Sequence, residues 1–356
     1  MDHYRIDGHK LYWHLDRVLA WQKGEVIPPL YVEISPVSYC NHRCIFCGVD
    51  FAMVERHKLP ADIFNRQLRE MGRLGVRSVM FAGEGEPLLH DNLGAMVNEA
   101  RQAGLDVSIT TNGSLGNETL WREILPALTW LRFSVDAASD PVYSAVHGVG
   151  DNQFKRTLAS IAAACEVKAQ FDLPVTLGVQ FLVLEENLDD LPKAIELYSK
   201  MGLDYLSFKP YSRHPQSIKT KDIDYDNRLF DRIEAEIERS RTSNGAKIIF
   251  RRNAMKRYGA REIAYRHCRA LPFWGYVDSK GDFYTCSVFL GKEEFKAGNV
   301  LEQDLASVFF GAKRCASIDY GLNTLDPVDC RVNCRMAPVN EFLETLANPP
   351  EHVNFI

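Results

Sequence analysis

The hydrophobic positions of this 356-residue chain fall into short apolar runs, separated by longer stretches in which apolar residues recur at helical spacing. The runs are Tyr31-Val32-Glu33-Ile34-Ser35, Val76 to Ala82, Val107 to Gly113, Leu131 to Ala137, Val175 to Val183 and Tyr205 to Tyr211. Helices are predicted between them at Ala61 to Leu74, Leu93 to Ala103, Glu118 to Ala127, Phe154 to Phe171 and Leu188 to Met201. Asp189 and Asp190 sit where a helix N-terminus favours acidic residues. Alternation of strand and helix predicts an α/β region with parallel strands. About six βα repeats are too few for a closed eight-stranded barrel.

Around this region the pattern changes. Residues 1–29, with Tyr12, Trp13 and Trp21, read as an amphipathic cap, and Tyr211 to Asp226 as a long polar loop. A helix from about Asn227 to Thr242 and a bridging strand at Ala246 to Arg252 form a linker over 226–260. Residues 261–356 are a loop-rich, aromatic second domain.

The strongest chemical signal is the C-x3-C-x2-C run of Cys40, Cys44 and Cys47. Three thiolates on one loop can hold three irons of a [4Fe–4S] cluster and leave the fourth iron open to a small molecule. A closed zinc site needs a fourth ligand, usually from a second cysteine pair, and none lies near. Gly83-Glu84-Gly85-Glu86-Pro87 follows the second apolar run, where glycine lets backbone approach a ligand and Glu86 can accept from an ammonium group. Polar residues also end the next strands, at Thr110-Thr111-Asn112-Gly113 and at Ser134-Val135-Asp136.

Cys40-Asn41-His42-Arg43-Cys44-Ile45-Phe46-Cys47, followed in order by Gly83-Glu84-Gly85-Glu86-Pro87 and these strand ends, resembles the radical S-adenosylmethionine (radical SAM) superfamily over residues 30 to 220. The resemblance implies a partial (β/α)6 TIM-like barrel over 30–225, with the site at the C-terminal strand ends. It also implies a SAM molecule on the open iron. Phe46 is then expected by the adenine, and Glu86 on the amino group. Gly85 and Pro87 belong to the same motif, in which Glu84 replaces the commoner glycine. Thr111, Asn112, Ser134, Asp136 and Gln180 complete the expected cofactor site. Such enzymes pass one electron to SAM, release methionine and form a 5′-deoxyadenosyl radical that abstracts hydrogen. The electron comes from a donor such as flavodoxin or ferredoxin.

Cys268, Cys286, Cys330 and Cys334 can fill the four positions of a second [4Fe–4S] cluster, and a zinc ribbon is the alternative. Gly281 stands five residues before Cys286, which resembles the SPASM or twitch auxiliary-cluster region in its single-cluster form. Cys165, among Ala and Ile in a helix, reads as core. Cys315, beside Arg314, is a substitute ligand, a hydrogen-atom donor or core.

With 46% hydrophobic and 25% charged residues and a net charge of −5, the composition is that of an ordinary soluble protein. No apolar run reaches membrane-spanning length and no basic block suggests nucleic acid. The acidic N-terminal stretch does not read as a targeting peptide, so a cytoplasmic location is expected. At the end of the sixth run, Lys209, Tyr211, Arg213 and His214 can clamp a hydroxylated or anionic small molecule. The cysteine arrangement is similar to that of twitch-domain aminocyclitol dehydrogenases, which implies dehydrogenation or epimerisation of a polar sugar-like or aminocyclitol substrate. The alternatives are radical modification of a ribosomal peptide and a non-catalytic two-cluster electron carrier. Peptide-modifying relatives commonly carry a leader-binding domain, for which the roughly 30 residues before the first strand leave no room.

Overall fold

The computed structural model describes residues 4–53, 55–219, 227–239, 245–260 and 263–355. Ten strands form one open sheet: β1 (Tyr31–Ile34), β2 (Ser78–Phe81), β3 (Asp106–Thr111), β4 (Trp130–Ser134), β5 (Thr176–Val183), β6 (Tyr205–Pro210), β7 (Lys247–Phe250), β8 (Trp274–Val277), β9 (Asp282–Tyr284) and β10 (Lys296–Asn299). Their order is β10-β9-β8-β1-β2-β3-β4-β5-β6-β7. The seven strands from β1 to β7 run parallel, as the βα alternation predicts. The predicted bridging strand is β7, seated on β6.

The C-terminal third is not detached from the barrel. Strand β8 pairs in parallel with β1, Tyr31 opposite Trp274 and Ile34 opposite Val277, and then turns back through the antiparallel β9 and β10. The sheet therefore crosses the domain boundary expected near residue 261. The latter part of the expected 211–226 loop lies outside the described residues.

Residues alternate across each strand, and the two faces differ in chemistry. Val32, Ile34, Val79, Phe81, Val107, Ile109, Leu131, Phe133, Leu177 and Phe181 are completely buried and join the core formed with helical residues such as Phe64, Leu68, Met96 and Ile161. Burial of each such side chain contributes roughly 1.5–3 kcal/mol. The opposite face carries Tyr31, Ser78, Met80, Trp130, Arg132, Thr176, Gln180, Tyr205 and Lys209, which line a cavity of 650 Å³. The interior of the barrel is thus a polar chamber and not a packed core. Gly178 makes room on β5 for the ring of its register partner Tyr205, which a Cβ there would meet at 2.2 Å.

Residues 4–14 of the expected N-terminal cap also line this chamber, through Tyr4, Arg5, His9 and Leu11. Asp7 accepts hydrogen bonds from the backbone N–H of Asn253 (2.7 Å) and of Ala254 (3.2 Å), tying the segment to the helix Arg252–Ala260. Among the described residues, no helix is long and apolar enough to cross a membrane.

Candidate functional site

The cysteine loop leaves the C-terminal end of β1 and is clamped from two sides. The helix Asp140–His147 offers its last carbonyls, His147 O to Arg43 N (2.9 Å) and Val146 O to Ile45 N (3.0 Å). From the other side, Asn112 Nδ2 donates to Asn41 Oδ1 and Asn41 Nδ2 donates to Ser114 Oγ, both at 2.9 Å. Glu86 N donates to Tyr39 O (3.0 Å). Gly85 lies so close beneath the loop that a Cβ would fall 2.2 Å from Tyr39 O and 2.6 Å from Val37 O, so only glycine fits.

These clamps gather the three thiols. Burial pushes the Cys44 thiol well up, and the neighbouring Cys40 and Cys47 add to it. Burial, then Glu86, raises Cys40 to about 12. A bound metal reverses this balance, because a coordinating thiol is deprotonated outright. The donor set, three clustered cysteines on a rigid loop, fits a cluster with one open iron.

The predicted cofactor residues divide into two groups. Glu86 is completely enclosed: Oε1 accepts from Thr111 Oγ1 (2.5 Å) and Leu88 N (3.0 Å), and Oε2 from Asn112 N (2.8 Å). It braces the ends of β2 and β3 beneath the loop, with Pro87 opening a short helical turn, and Asn112 Nδ2 reaches within 3.9 Å of Cys40 Sγ. Phe46 sets its ring edgewise to His147, with centroids 5.6 Å apart. Ser134, which ends β4, is the register partner of Gln180 within β5, and Gln180 faces the chamber.

Of two further expected cofactor residues, Glu84 looks elsewhere and Asp136 lies beside the loop, close enough to act on Cys44. Glu84 points to the C-terminal hairpin, where Oε2 accepts from Ser35 Oγ (3.2 Å) and Ser279 N (3.3 Å). Burial, then the nearby Asp278, raises its carboxyl to about 7. Asp136, in the left-handed region at φ 52°, accepts from Leu182 N (2.5 Å) and lies 3.6 Å from His147 Nε2, where burial lifts its carboxyl to about 7.

His147 is the residue that sequence reasoning missed. Its Nε2–H donates to Val135 O (2.5 Å), which turns Nδ1 toward Cys44 Sγ at 3.2 Å. With His42 of the cysteine loop, it brings ligand atoms within 4.8 Å of one another around Cys44. No local signal marks it, since it ends an ordinary helix about a hundred positions from the loop.

Cys268, Cys286, Cys330 and Cys334 converge at one end of the chamber. The β8–β9 hairpin returns Cys286 toward Cys268, and burial, then the neighbouring Cys334, Cys268 and Cys330, pushes the Cys286 thiol well up. Asn340 Nδ2 lies 3.7 Å from Cys268 Sγ, and Met336 N donates to Cys334 Sγ (3.4 Å). Cys334 itself lines the chamber. Cys315 does not: it lies on the helix Ala312–Asn323, beside an Arg314 that donates to three carbonyls, those of Ile27, Phe309 and Pro272, each at 2.8 Å. Cys165 is buried in the core, as expected.

Of the four residues expected to clamp a substrate, Lys209 faces the chamber. Tyr211 is fully buried, Arg213 is exposed, and His214 is buried in a stack on Phe51 (5.1 Å), its Nδ1 accepting from Gln216 N. The alternation of β6 ends with the strand, so these three do not follow Lys209 inward.

Residues 34–198 match the family model described as the radical SAM superfamily. The chain is 29% identical over 182 residues to a probable GTP 3',8-cyclase of Saccharolobus islandicus, covering 51% of this chain and 56% of that one. It therefore spans about half the length of the cyclases it matches. It is 26% identical over 291 residues to an AdoMet-dependent heme synthase of Methanosarcina barkeri, covering 77% and 80%. In structure it is similar to Streptococcus suis SuiB bound to S-adenosylmethionine, with a TM-score of 0.65 at 21% identity over 84% of this chain and 70% of that one. The three-cysteine loop, its glycine-lined support and the parallel partial barrel thus have one source: residues 34–198 of this chain are a radical SAM domain.

Proposed function

We propose that this chain oxidises a small polar substrate, sugar-like or aminocyclitol in character, by radical SAM dehydrogenation with a second [4Fe–4S] cluster on Cys268, Cys286, Cys330 and Cys334. The observation that carries this reading is Cys334 on the wall of the same chamber that Gln180 and Lys209 line. When bound, the loop cluster and SAM supply hydrogen-atom abstraction, and the second cluster supplies a place for the remaining electron.

The chain's own residues do the positioning. Asn41, Asn112 and the end of helix Asp140–His147 fix the cysteine loop, while Glu86 and Gly85 hold the floor beneath it. The polar inner face of β1 to β6 orients the substrate, and the segment 4–14 closes the chamber toward the N-terminal strand ends, which limits water. A chamber of 650 Å³ suits a small molecule better than a peptide. Epimerisation needs a thiol to return hydrogen, and neither Cys315 nor Cys165 lines the chamber.

Anaerobically reconstituted protein tests this. Two full clusters require about eight irons per chain, and Cys334→Ala should lower that to about four and stop product formation. Against a panel of sugars and aminocyclitols, the expected product has lost two hydrogens. Four irons plus zinc, or a product carrying solvent deuterium at the attacked carbon, would overturn the dehydrogenase reading.

A further inference from the structure

We infer that the chamber holds an oxyanion, a phosphate or carboxylate carried by the substrate, between Arg132 of β4, Lys209 of β6 and Arg331 of the C-terminal segment. The inference rests on the chamber being the substrate site and names the class of substrate it takes. Eight arginines and lysines line the chamber, and among the described lining residues there is no aspartate or glutamate.

The cations differ in how they are balanced. Arg335 is paired with Glu33 from just outside the lining, and Arg251 lies 3.8 Å from Asp7. Arg132, Lys209 and Arg331 form no ion pair with any described residue. Arg132 is held by one bond, from a terminal guanidinium nitrogen to Thr110 Oγ1 (3.0 Å), and its Nε is fully buried without a hydrogen-bond partner. Arg331 is fixed by Ser212, whose carbonyl accepts from Nε (3.0 Å) and from Nη2 (2.6 Å), leaving Nη1 uncommitted. Lys209 Nζ makes no hydrogen bond to a described residue, and burial together with Arg132, Arg251 and Arg331 presses its pKa well down.

Like charges gathered in a low-dielectric chamber repel one another; Asp136 acts on Lys209 and Glu33 on Arg331, but neither carboxylate forms an ion pair with these three as Glu33 does with Arg335. Two guanidinium groups already fixed by neighbours and one ammonium are a preorganised receptor for a planar carboxylate or a tetrahedral phosphate. Asp136 is close enough to act on Lys209, while Arg331 follows Cys330. An anion bound here therefore anchors the substrate between the two cysteine groups.

Calorimetric titration of the reconstituted protein with inorganic phosphate and, separately, with acetate tests the site. Saturable binding is expected, weakened at least roughly tenfold in both Lys209→Met and Arg132→Gln and largely restored by Lys209→Arg. Tighter binding of phosphate assigns a phosphate ester, and tighter binding of acetate a carboxylate. Without ligand, Lys209→Met should melt no lower than the wild type, because it relieves repulsion; a lower midpoint would mark a structural lysine and count against the site. Absence of binding by either probe, or equal binding in both variants, overturns the proposal. So does a matching loss of SAM affinity with competition between SAM and phosphate, because the cations would then hold the carboxylate of SAM. Phosphate binding through these residues in a protein that never cleaves SAM would sink the radical reading and leave the anion site standing.

Discussion

The two cysteine groups of this protein are built in opposite ways. Cys40, Cys44 and Cys47 occupy eight consecutive positions of one loop, and the surrounding barrel only has to clamp it. Cys268, Cys286, Cys330 and Cys334 are scattered over the last third of the chain and meet only because β8 docks on β1 and the hairpin folds back. The first group is set by local sequence and the second by tertiary structure. Damage to the scaffold should therefore reach the second group first.

The largest effect that can break this contrast is expected at the loop itself. Cys47→Ala removes one of the three thiols of the loop and should reduce 5′-deoxyadenosine release under reducing conditions to background; a variant that still cleaves SAM would show that the loop is not the seat of the chemistry. Arg314→Met strikes the scaffold instead, leaving the carbonyls of Ile27, Phe309 and Pro272 without their shared donor. It should lower stability by about 3 kcal/mol and release the iron proposed on the C-terminal cysteines before that of the loop, as followed by denaturant titration with iron analysis.

A pH series sharpens the comparison at the joint between the two regions. The Glu84 carboxyl is raised to about 7 in the folded protein, mainly by burial, against an ordinary value near 4.5. The folded state therefore holds this proton more tightly than the unfolded state. The stability associated with it is complete below the ordinary value and is lost as pH climbs through about 7, by on the order of 3 kcal/mol. Glu84→Gln should flatten the decline between these limits, measured as the unfolding midpoint from pH 4 to 8; an unchanged slope would place the titration elsewhere. Smallest is Gly85→Ala, where a methyl against Tyr39 O and Val37 O should cost about 2 kcal/mol and loosen the loop cluster while sparing the C-terminal one, a difference that iron release rates would show.

The strands and helices of the barrel were legible because period-2 and period-3.6 patterns are local. The predicted helix at 61–74 is observed at Ala61–Arg73, and that at 154–171 at Gln153–Gln170. Strand β8 was not legible: Trp274-Gly275-Tyr276-Val277 is short, follows Pro272, and takes its partner from more than two hundred positions earlier. For the same reason Glu84 was assigned to the cofactor, although its contact with Ser279 depends on that docking. His147 was invisible because a helix terminus carries no mark of what it will face. Lys209 faces the chamber because it lies within a strand, whereas Arg213 and His214 lie beyond it, where alternation no longer fixes direction.

Docking of β8 on β1 also governs how the protein can be divided. A chain ending at residue 260 would keep the cysteine loop and every barrel strand, yet it would present the edge of β1 with a row of unanswered backbone donors and acceptors. Such an edge is a template for another strand, so the shortened protein would be prone to self-association even with its own site chemically intact. The second cysteine group is in this sense also the seal on the first strand, and its segment cannot be shed as a module without giving the barrel a new surface to bury.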